Sequence, residues 1–87
     1  MLSFPNASRS YNATKHCVSF RGYDSIFEVT FELDEGALRA MDVTAPAGEA
    51  SMLAVFDRNR TKIERAAEKS FARRRRERLH ELTAADF

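Results

Sequence analysis

Cysteine is nearly absent from this 87-residue chain: Cys17 stands alone. That excludes an intramolecular disulfide, a CxxC pair and a cysteine-based zinc site, and it fits a reducing interior. Glycine is almost as scarce, and Gly22, Gly36 and Gly48 lie too far apart for a GxGxxG turn or a Walker loop. No apolar run approaches the roughly 18 residues of a membrane span. The opening Met1-Leu2-Ser3-Phe4-Pro5-Asn6 lacks the basic and apolar regions of a signal peptide, so a cytoplasmic location is expected. Without export, the glycosylation triplets at Asn6, Asn12 and Asn59 carry no meaning.

What is present suits a packed globule: apolar residues make up 44% and charged residues 31%, a balance that argues against disorder. Residues 1–87 are too few for more than one domain. A chain this short hides only about 60–65% of its unfolded surface, which leaves a thin margin of stability and favours a homodimer.

The hydrophobic pattern divides the chain. Residues 5–14 are rich in Asn, Ser, Ala and Pro and read as an irregular lead-in after a short strand at Leu2 to Phe4. From Lys15 residues alternate, with His16, Val18 and Phe20 on one side and Cys17 and Ser19 on the other. Gly22-Tyr23-Asp24-Ser25 supplies turn chemistry, and Phe27, Val29, Phe31 and Leu33 then alternate with Glu28, Thr30 and Glu32. The pattern predicts a hairpin over 15–33 with one wet face, and with Phe27, Val29, Phe31, Leu53, Phe56 and Ile63 in one core. Asp34 can cap a short helix over 34–41. A long helix is expected over 49–74, where Met52, Leu53, Phe56, Ile63, Ala67 and Phe71 recur at mostly three- and four-residue steps. A last strand is expected over 78–83, His80 and Leu82 sharing a face, and Thr83 to Asp86 has capping-box spacing, after which Phe87 would tuck against the body. The fold class is α+β: a small antiparallel sheet, made of the hairpin and short N- and C-terminal strands, covered by one short and one long helix.

The residues Leu2-Ser3-Phe4-Pro5, Val18-Ser19-Phe20 with Gly22-Tyr23-Asp24, and Glu28-Val29-Thr30-Phe31 resemble a family of short bacterial proteins known as domain of unknown function 1488. So do Ala37-Leu38, Leu53-Ala54-Val55-Phe56 through Ile63, and Leu82 to Phe87. These are packing and turn positions rather than a chemical motif, so the resemblance implies a fold: an antiparallel sheet backed by helices, with a strand returning after the long helix. Some members carry a loose label of transcriptional regulator, which brings no site residues with it. The arginine density at 73–78 departs from the family pattern.

Chemistry is sparse. Cys17 follows His16, but neighbours on a strand point to opposite faces, so this imidazole is badly placed to deprotonate this thiol. His16, His80, Cys17 and the carboxylates show no metal-ligand spacing, and Asp34-Glu35 suits the start of a helix. No catalytic, cofactor or metal site and no small-molecule substrate is expected. Charge is the one distinctive feature: residues 58–78 hold ten basic and three acidic groups, whereas residues 1–57 hold four basic and eight acidic. Arg73, Arg74, Arg75, Arg76 and Arg78 are the candidate contacts for phosphate or for an acidic partner. They equally suit a solvated helix end complementing the dipole, the role favoured by a net charge of only +1 and the lack of interleaved aromatics. A third role is self-recognition, basic end against acidic sheet. The expectation is a non-enzymatic interaction or accessory domain; the alternative is nucleic-acid binding through the arginine-rich end.

Overall fold

Alternation of Val29, Phe31 and Leu33 with Glu28, Thr30 and Glu32 places the first set inside and the second at the surface of a strand in the computed structural model of the chain, which describes residues 2–87. This strand, β4 (Phe27–Asp34), pairs antiparallel with β3 (Cys17–Asp24) along its whole length, from Cys17 opposite Asp34 to Asp24 opposite Phe27. The tight turn falls at Ser25 and Ile26, Ser25 taking a positive φ of 59°. Gly22 to Asp24, expected in the turn, belong to β3. Gly22 is needed there for another reason: a Cβ would stand 2.9 Å from the Phe4 ring and 3.0 Å from Leu2.

On its other side β3 pairs with β1 (Leu2–Ser3) at one end and β2 (Arg9–Asn12) at the other. The lead-in read as irregular therefore contains a strand. Its Arg9 reaches Asp57 through two hydrogen bonds of 2.9 and 2.8 Å, a long-range tie that no local pattern reveals. His16, expected on β3, sits before it with a φ of 51°.

Three helices follow: α1 (Glu35–Met41), α2 (Glu49–Arg58) and α3 (Arg60–Arg73). Asp34 caps α1 by accepting from the Ala37 N–H at 2.8 Å. Gly48 opens α2 at a φ of 117°, a conformation that excludes most side chains. The single long helix over 49–74 is overturned. Asn59 interrupts it, its backbone at φ −114° and ψ 17° and its side-chain amide donating to the Val55 carbonyl at 2.9 Å. The polar run from Asp57 to Lys62 leaves no apolar side chain to hold a straight helix across the break. A straight 26-residue helix would span about 39 Å, longer than the molecule's 36 Å axis.

β5 (Leu79–Leu82) pairs with β4 in parallel, from Thr30 opposite Leu79 to Leu33 opposite Leu82. The expected antiparallel sheet is thus a mixed five-stranded one, and the expected two-helix cover is three helices. The helices carry the chain from the end of β4 back to its beginning, so the next strand must run the same way. A 3-10 turn, Ala84–Asp86, closes the fold through the Thr83 and Asp86 capping box.

One face of the sheet and the helices share a core in which Phe20 stacks on Phe31 at 5.3 Å and meets Phe56 edge-on at 5.1 Å. Each such ring or aliphatic chain contributes about 1.5–3 kcal/mol on burial. Leu53 is only partly buried, and Phe27, expected in the core, is 56% exposed. Phe87 likewise stays 41% exposed.

Candidate basic interaction face

The cations of this molecule fall into two sets. Arg9, Lys15, Arg21, Arg39, Arg58 and Arg60 each have a carboxylate partner at 2.8–3.7 Å. Beyond Arg60, Arg73 reaches Asp86 at 3.3 Å and Arg74 lies 4.0 Å from Glu77. Lys62, Arg65, Lys69, Arg75 and Arg76 have no acidic partner among the described residues, and all five are exposed. Lys62, Arg65 and Lys69 succeed one another at helical steps of three and four, which puts them on one side of α3, and they line a shallow groove with Arg58, Asp86 and Phe87. Arg73 continues the line toward the loop.

The five arginines singled out from sequence do different things. Arg73 ends α3, and Arg74 caps it, its N–H meeting the Ser70 and Phe71 carbonyls. Arg75 and Arg76 project from the following loop. Arg78, also exposed, folds back along the surface: its guanidinium donates to the Arg75 carbonyl at 3.1 Å and lies over the Phe27 ring, 5.5 Å from its centre. Lys62, Arg65, Lys69 and Phe27 were not singled out from sequence. The helical spacing of the first three was visible; their lack of acidic partners depends on where the fold puts the carboxylates.

The loop is anchored at its flanks by buried side chains and by the sheet. His80 and Ser70 are buried, and Ser70 Oγ meets His80 Nδ1 at 2.8 Å while Nε2 meets the Glu77 carbonyl at 3.1 Å. A carbonyl accepts only, so Nε2 carries the hydrogen and Nδ1 accepts from the Ser70 hydroxyl. The Arg78 carbonyl accepts from the Thr30 N–H at 2.8 Å, fixing the start of β5. Both ends of the arginine loop are therefore tied to buried elements.

The open face of the sheet is different in kind. Four of its charges pair internally, Lys15 with Glu32 at 3.4 Å and Arg21 with Glu28 at 3.6 Å, while the Tyr23 hydroxyl donates to Glu28 at 3.2 Å; Glu81 on β5 is exposed. Cys17 is buried beneath this face, and burial, then Glu32, pushes its thiol above the ordinary value. It is held as a thiol, the unreactive form. His16 lies 3.6 Å from Glu35. Ser70 and His80 form a close hydroxyl–imidazole pair, and both are buried. Among the described residues no three His, Cys, Asp or Glu side chains group as a metal site, and no helix is long and apolar enough to cross a membrane.

A family model described as protein of unknown function (DUF1488) matches residues 2–82. No curated protein and no solved structure matches significantly.

Proposed function

Because the chain belongs to the DUF1488 family of proteins of unknown function, we propose from its surface that it is a non-enzymatic interaction domain binding a polyanionic partner through α3 and the arginine loop. One observation carries this reading: among the described residues the cations without an acidic partner are Lys62, Arg65, Lys69, Arg75, Arg76 and Arg78, all on α3 or the loop after it, whereas every earlier Lys or Arg has one. Unpaired cations on one side sum to a positive field that attracts and orients an extended anion. The loop's seat on Ser70 and His80 means that little conformational entropy is lost when the partner arrives.

A charge-paired homodimer draws less support. The sheet's Glu28 and Glu32 already bond their own lysine or arginine, so a second copy's basic face would have to displace those pairs. Basic helices and acidic sheet also lie on different sides of the molecule, and joining unlike patches builds rings or filaments rather than a closed pair. The test is retention on immobilised heparin in about 50 mM salt. The wild-type domain should be held and its variant with Lys62, Arg65, Lys69, Arg75 and Arg76 changed to Gln should pass through. Passage of the wild type would sink the proposal.

A further inference from the structure

The most unexpected side chain on the basic face is aromatic. Phe27 closes the β3–β4 hairpin opposite Asp24, on the core-facing side of the sheet but 56% exposed, and Ile26 beside it is 84% exposed. The Arg78 guanidinium lies over this ring, 5.5 Å from its centre, and belongs to the loop that presents the unpartnered Arg75 and Arg76. The chain therefore lacks interleaved aromatics in sequence and acquires one in space: residues 27 and 78 are far apart along the chain and adjacent in the fold.

On the premise that the basic face holds a polyanion, we infer that Phe27 and the arginine loop form a subsite for single-stranded nucleic acid. One unpaired base stacks on the exposed Phe27 ring, with the Arg78 guanidinium beside it, while Arg75 and Arg76 contact neighbouring phosphates. Each half of this arrangement has its own physical reason. A half-exposed phenyl ring gains by being covered with a flat, weakly hydrated surface, and a base offers one. The arginines supply the bidentate oxygen contacts that an isolated aromatic lacks. A duplex keeps its bases stacked inside and has only phosphates to offer here, so the ring distinguishes the two forms. An acidic polypeptide supplies charge but no stacking partner.

Fluorescence anisotropy decides this with a labelled oligothymidylate of about 20 nucleotides, a duplex of equal length and polyglutamate as competitor, in about 50 mM salt. Wild type should bind the single strand more tightly than the duplex. Phe27→Leu should weaken the single strand about tenfold and leave the duplex unchanged, while Phe27→Tyr, which keeps the ring, should bind as wild type. Arg75→Gln with Arg76→Gln should weaken both nucleic acids. Thermal melts of each variant establish that the domain remains folded. If both nucleic acids bind but Phe27→Leu changes neither, or weakens both alike, the stacking subsite is overturned and the basic face stands. Displacement of both nucleic acids by polyglutamate at equal charge concentration overturns the subsite in favour of an acidic protein partner. If wild type binds none of the three, the basic face falls with the subsite.

Discussion

The cations of the first half of the chain, on and beside the sheet and on the first helix, and the solvent-facing cations of the third helix are chemically alike and differ in what stands beside them. Lys15, Arg21 and Arg39 each reach a carboxylate within 4 Å, so their fields cancel locally and little is left for a partner. Lys62, Arg65 and Lys69 face solvent with no such partner, and their fields add. Net charge, only +1 for the whole chain, conceals this difference because it sums over both regions. What a charge can do is set by what stands beside it.

The comparison implies that structure and binding depend on separate residues. The largest effect belongs to the core beneath both regions. Phe31→Asp buries an unpaired carboxylate at a fully enclosed position, which costs several kcal/mol against a total stability of about 5–10. The variant should show no cooperative melting by circular dichroism; a melt like that of wild type would mean that the strand's register differs from the one described.

The loop's anchor comes next. His80→Ala removes a buried ring and strips the Ser70 hydroxyl and the Glu77 carbonyl of their partner, so urea unfolding should show a loss of about 2–4 kcal/mol. The two-site change Arg75→Gln with Arg76→Gln, only a few residues away, should shift the same curve by less than about 0.5 kcal/mol. Equal losses would erase the distinction between the anchor and what it carries.

The smallest effect is at Asp57, whose carboxyl is held below the usual range first by the Arg9 hydrogen bond, with burial opposing. A lowered carboxyl contributes stability above its unfolded value of about 3.9 and loses it as the pH falls through the lower folded value. Thermal melts should place Asp57→Asn slightly below wild type at neutral pH, and the two should converge in acid below that folded value. A gap that widens with acid would contradict the sign.

Local rules made parts of this molecule legible in advance. Asp34 at the start of α1, Thr83 with Asp86 in the closing turn, and the inward set Val29, Phe31 and Leu33 are decided by neighbours within a few residues. The misread parts depend on distant partners. β2 is held by β3 and by Arg9 against Asp57, and β5 takes its direction from the path of three helices. Alternation assigned Phe27 to the correct side of β4 but carries no information on where the helical cover stops. The arginine run was visible, yet which of its members are free required the positions of Glu77, Asp86 and Phe27. His80 was read as sharing a face with Leu82, and its bond to Ser70 joins two elements across the loop.

The central claim is that location, rather than total charge, makes the basic face, and two variants of equal charge test it. Duplex affinity should be measured against salt for wild type, for Lys62→Gln/Arg65→Gln/Lys69→Gln, and for Lys15→Gln/Arg21→Gln/Arg39→Gln. With a slope of about −0.9 per phosphate contact, the first triple variant should flatten the log–log slope by about 2.7. The second should leave it unchanged. Equal flattening by both, or a wild type that does not bind, would contradict the account.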